Sequence, residues 1–158
     1  MNKEILRLPL YTLIAGFILG IINLITIRIL IRGTNEWTLE MGKTVFYIEL
    51  ILSIIAFVFI GILLRQKYNR TDFFKSATLL VIYSAVVFIL EQIMQYWGFY
   101  SMINSYLYLP VSIFTVITSL VARISNLEHI KWLHVIPSIF APYLFLLFSK
   151  NPSENTAK

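Results

Sequence analysis

The sequence predicts an all-α fold: a polytopic transmembrane helical bundle of five spans, or of four if the last segment is re-entrant. Three observations carry this. Of 158 residues, 58% are hydrophobic and only 13% charged, about half the charged share that covers a soluble domain. Apolar runs of about 20 residues, the length at which a helix crosses the hydrocarbon core, recur with short polar stretches between them. The load of 12 Phe, 9 Tyr and 3 Trp points the same way, to lipid as the solvent.

The first run, 8–27, has no charge. It follows Lys3 and Arg7 but lacks a small-x-small cleavage site before Arg28, so it reads as a retained helix rather than a signal peptide. The second run, 44–64, contains one charge, Glu49, and the third, 76–98, also one, Glu91. The fourth, 106–122, contains none. The fifth, 132–149, is uncharged but holds Pro137 and Pro142. Each proline removes a backbone donor and kinks a helix, so this run is either a bent span or a re-entrant segment. Together the runs form one domain, 1–150, followed by a short polar tail, 151–158.

With no Cys, disulfides, thiolate catalysis and Cys-zinc sites are excluded. The net charge of +5 lies in short clusters between apolar runs, which fits loop topology and not nucleic-acid binding. If all five runs cross, eight Lys and Arg (Lys3, Arg7, Arg65, Lys67, Arg70, Lys75, Arg123 and Lys131) fall on one side. Five (Arg28, Arg32, Lys43, Lys150 and Lys158) fall on the other. The expected location is the plasma membrane, and the positive-inside rule places the amino terminus in the cytoplasm and, with five spans, the carboxyl terminus outside.

Helical spacing sorts the polar residues into stripes. Thr12, Gly16, Gly20 and Asn23 share one face of the first helix, and the Gly16/Gly20 pair permits close approach of another helix, in this chain or in a second copy. Glu49 shares its face with Ser53 and Ala56, and Glu91 with Ala77, Ser84, Gln95 and Gly98. Tyr108, Ser112, Thr115, Ser119 and Arg123 line the fourth helix, and His134, Ser138 and Ala141 the fifth. An ionised side chain at the bilayer centre costs about 2.5–3.5 kcal/mol on insertion scales, so both carboxylates should face the protein interior or water. In the five-span topology Arg28, Glu49, Glu91, Gln92 and Gln95 reach the same outer level and form one candidate ligand layer beneath an aromatic rim.

The expected function is binding of a small molecule, ion or lipid headgroup by this layer, as a transporter or the membrane subunit of one. The expected partners are the bilayer and either a second copy, through Gly16 and Gly20, or a subunit docking on the basic loop 65–75. The competing expectation is a non-catalytic regulatory or assembly protein that binds another membrane protein. No cofactor is implied. Glu128, His129 and His134 lack the spacing of a metal site, and no nucleophile elbow, phosphate loop or paired Asp motif marks an enzyme.

Overall fold

The computed structural model describes residues 5–32, 36–99, 102–125 and 132–149, the side chains of 102–105 excepted. The regular elements among them are all helical, so the all-α bundle is the fold. In chain order they are α1 (Arg7–Ile31), α2 (Leu39–Arg65), α3 (Arg70–Tyr96), a 3₁₀ segment (Met102–Val111), α4 (Ser112–Ile124), α5 (Trp132–Phe140) and a second 3₁₀ segment (Ala141–Phe148).

Local chemistry sets the helix ends. Thr38 caps α2 by accepting the Met41 N–H at 3.3 Å. At α3, Asn69 accepts the Asp72 N–H at 2.9 Å while Asp72 accepts the Asn69 N–H at 3.3 Å. This reciprocal box lets α2 and α3 join through the short turn 66–69. At the far end of α3, Gly98 takes φ 72°, a conformation that suits glycine, and closes the helix. There the Gly98 N–H donates to Gln95 O at 3.2 Å and the Phe99 N–H to Met94 O at 2.9 Å.

The helices turn large apolar side chains outward. Ile14, Phe17, Ile18, Leu24, Ile25 and Ile29 are all exposed on α1 alone. Soluble monomers rarely present such a continuous apolar surface to water. By length and composition α1, α2, α3 and the stretch Tyr106–Ile124 are each able to cross a membrane, and Trp132–Phe148 is a shorter apolar helix.

The stretch Tyr106–Ile124 does not follow a straight path. Tyr106 borders a cavity with Leu24 and Ile27, Leu109 lies on Gly16, and Pro110 shares a groove with Leu10 and Leu13. The first limb therefore descends along α1 toward its amino-terminal end. The second limb climbs back along α2: the Phe114 ring lies 6.5 Å from that of Phe57, and the Arg123 guanidinium sits 4.3 Å above the ring of Phe46. Each limb measures about 20 Å by helical rise. The result is a hairpin whose two ends lie at the same end of the bundle.

Two features make the bend. Pro110 has no N–H and biases the residue before it away from helix, and Val111, at φ −120° and ψ 5°, leaves the helical region. Gly16 then makes room, since a Cβ there would collide with the Leu109 carbonyl oxygen and crowd the Ser112 hydroxyl. Carbonyls at the bend still need donors, because unsatisfied backbone is excluded at membrane depth. Tyr83 donates to Leu107 O at 2.8 Å and Ser112 to Leu109 O at 3.2 Å.

The sequence places a straight span at 106–122 and leaves 132–149 as a bent span or a re-entrant segment; in the structure the first of these, though long and apolar enough to cross, folds back at Pro110, and the second follows α3. Trp132 shares a cavity with Gln92 and Gln95 at one end of α3. Near the other end, Tyr143 stacks on Phe74 with ring centroids 5.6 Å apart and shares a hydrogen bond of 3.1 Å with Thr78. The ring of Phe148 covers Gly61. This last segment therefore runs the length of α3. Its 3₁₀ half explains how so few residues suffice: about 30 Å of combined rise, against about 25 Å for an unbroken α-helix of the same length. Pro137 and Pro142 fall within this path, Pro142 in the first turn of the 3₁₀ segment. Phe148 consequently sits at the same end as Arg7, whereas five straight passes put them at opposite ends.

The core lies between α1, α2, α3, the hairpin and the last segment. Leu8, Leu64, Phe73, Leu80, Val111 and Phe145 are all but fully buried in it. Gly20, one turn beyond Gly16, has more room: a Cβ there meets only Leu109 Cδ2, at 3.9 Å. In thermal unfolding in detergent, Gly16→Ala is expected to cost about 1–3 kcal/mol, the usual size of an overpacking penalty. Gly20→Ala is expected to stay within about 0.5 kcal/mol of wild type. Equal effects at the two positions would contradict the contact between Gly16 and the bend.

Candidate functional site

The hairpin occupies the middle of the bundle and leaves a cavity on either side. The first, about 560 Å³, lies between α3, α4 and α5 and contains Glu91, Gln92 and Gln95. Glu91 is half-buried. Its carboxylate accepts a hydrogen bond from the Tyr108 hydroxyl and a second, at 3.4 Å, from the Gln95 amide. Tyr108 stands on the descending limb, so the bend at Pro110 and Val111 delivers this partner to α3. Farther along the wall, Thr118 donates to the Ser138 hydroxyl at 2.9 Å, and Ser138 donates to Val135 O at 2.7 Å. Ser84, Thr115 and Ser119 add further hydroxyls, and Phe88, Phe114 and Trp132 add aromatic faces.

The second cavity, about 460 Å³, lies between α1, α2 and the hairpin and contains Glu49, Asn23, Gly16 and Gly20. Tyr108 and Thr115 border both cavities. They form the partition between the two carboxylates.

The sequence-predicted layer is thus divided. Glu91, Gln92 and Gln95 come together; Glu49 faces the other cavity; Arg28 is exposed on α1, outside the lining of both. The physical reason is that a single layer requires an open central axis, and the hairpin fills that axis. Gly16 and Gly20 face the hairpin of their own chain, the first of the two packing roles that the stripe allows. His134 is half-buried on α5, while Glu128 and His129 lie outside the described residues. Among the described residues no group of three or more His, Cys, Asp or Glu is arranged to hold a metal.

Two contributors to the site, Tyr108 and Trp132, and the position of Arg123 outside it escape the sequence reading. Tyr108 is legible as a rim aromatic, but its role as donor to Glu91 depends on the bend. Trp132 is legible as the start of a helix, but not as a wall of the Glu91 cavity. Arg123, which alternation of spans puts at the amino-terminal end, stands over Phe46 at the opposite one. The one available signal is Pro110 in the middle of an otherwise uninterrupted apolar run.

Fold and site together define a helical membrane protein with two carboxylate-bearing cavities divided by a hairpin. No protein-family model, curated protein or solved structure matches the chain.

A double-mutant cycle tests the link between hairpin and site. Tyr108→Phe and Glu91→Ala are expected to couple by about 1 kcal/mol in unfolding free energy, the size of one hydrogen bond. Additive effects would show that the two side chains act independently.

Proposed function

We propose that this protein binds a small molecule, ion or lipid headgroup in the Glu91 cavity, as a transporter or as the membrane subunit of one. The observation that carries the reading is the carboxylate itself, half-buried in a cavity of about 560 Å³ and held by the hydroxyl of Tyr108 from another element. Intramembrane carboxylates are costly and mark substrate or ion sites by default. The dimensions support it as well, since small-molecule pockets range over about 300–1,000 Å³.

In the proposed setting, the plasma membrane, α1, α2, α3 and the α5 segment cross, and the hairpin is re-entrant. Among the described residues, Arg7, Arg65, Lys67, Arg70 and Lys75 lie at the amino-terminal end, against Arg28, Arg32, Lys43 and Arg123 at the other. This bias favours a cytoplasmic amino terminus. The Glu91 cavity then faces outward, at the end where the hairpin enters and leaves.

A regulatory or assembly role is the second reading, and one observation favours it. An apolar groove of about 730 Å³ runs between α1 and α3, bordered by Leu10, Leu13, Leu79, Ile82, Val86 and Pro110. A transmembrane helix of another protein fits such a surface.

Native mass spectrometry of protein released from mild detergent separates the readings. A defined small-molecule or lipid adduct that disappears in Glu91→Gln is the expected result. A stoichiometric protein partner, with no adduct in either form, would transfer the conclusion to the assembly reading.

A further inference from the structure

The chemistry of the Glu91 cavity narrows its ligand class. Among its described lining residues, Glu91 is the sole charged side chain, with no Lys, Arg or His beside it. An anionic ligand entering here meets a carboxylate and, among the described lining residues, no cation to offset it. Four rings, those of Phe88, Tyr108, Phe114 and Trp132, also border the space. Such faces attract a cation with an apolar periphery. They serve a bare metal ion poorly, since hard cations need a shell of several oxygen ligands. The volume likewise suits a molecule of many heavy atoms.

We infer that the Glu91 cavity takes a monovalent organic cation, a protonated or quaternary amine with apolar substituents. Its charge meets the Glu91 carboxylate, its substituents lie against the aromatic faces, and Trp132, exposed on one side, stands at the mouth. Any N–H donors it carries meet Gln92, Thr115 or Ser119 along the same wall. The inference rests on the binding role proposed for this cavity and adds the sign and character of the ligand.

Isothermal titration of the purified full-length protein in detergent tests it with three probes of one size class: benzyltrimethylammonium, benzyl alcohol and benzylsulfonate. The cation is expected to bind saturably, and the alcohol and sulfonate to bind at least tenfold more weakly. Glu91→Gln, which still offers Tyr108 an acceptor, is expected to weaken the cation by about tenfold or more, as loss of a charge-assisted contact does. Trp132→Leu, at the exposed mouth, is expected to weaken it several-fold while helix content by circular dichroism stays at the wild-type level.

Tighter, Glu91-dependent binding of the alcohol or the sulfonate would overturn the cationic class and leave the binding role standing. Failure of the cation to bind folded protein, beside a Glu91-dependent adduct of another class in native mass spectrometry, would do the same. Failure of all three probes together with absence of any such adduct would overturn both. Cation affinity unchanged in Glu91→Gln and Trp132→Leu would place binding elsewhere and overturn the assignment.

Discussion

The Leu109 carbonyl rests against the bare Cα of Gly16, and the arrangement of this bundle follows from that approach. A side chain at position 16 would hold the descending limb away from α1. The limb could not then reach the depth at which Val111 enters the core, and the space now held by α4 would lose its floor. In a hydrocarbon solvent no hydrophobic force drives helices together, so close packing around small residues and satisfied hydrogen bonds must do that work. The bend supplies both, with glycine on one side and the hydroxyls of Tyr83 and Ser112 on its exposed carbonyls.

The site inherits its geometry from the same bend. Tyr108 meets Glu91 because the limb carrying it runs down the centre of the bundle. Glu49 is kept from Glu91 because that limb and α4 stand between them. Of the polar residues that periodicity sets in stripes, Ser112 and Ser138 hold the hairpin in place, Ser84 and Ser119 line the Glu91 cavity, and Tyr108 and Thr115 border both cavities. Thr118 and Ser138 tie α4 to α5, Tyr83 ties α3 to the bend, and Thr78 ties α3 to Tyr143.

Much of this architecture can be read in the sequence, and the limits of that reading have physical causes. Composition and run length specify the solvent and the helices, because both depend on chemistry summed over many residues. The capping pair at Asn69 and Asp72 and the stop at Gly98 are equally local. The path of 102–124 is not: a straight pass and a hairpin bury similar apolar area and share one composition. What separates them is a proline followed by a non-helical valine, together with a glycine in α1 nearly a hundred residues earlier. The pairing of Glu91 with Gln95 is visible in the helical repeat of α3 and that with Gln92 in their common depth, whereas Tyr108 and Trp132 reach the same cavity only through tertiary structure. Arg28 illustrates the opposite error, a charged residue at the right depth on the wrong face. In the last segment, prolines that argue against a crossing helix are accommodated where 3₁₀ geometry lengthens the rise.

Because the chain contains no cysteine, single introduced cysteines report sidedness without background. The measurement is labelling of Gln66→Cys, Trp97→Cys and Ser125→Cys by a membrane-impermeant thiol reagent applied to one face of sealed vesicles of known orientation. All three positions are exposed in the fold. A hairpin at 102–124 requires Ser125→Cys to label from the same face as Trp97→Cys and opposite to Gln66→Cys. Labelling of Ser125→Cys from the face that labels Gln66→Cys would mean that the stretch crosses the membrane, and the hairpin, with the partition of the two cavities, would have to be abandoned.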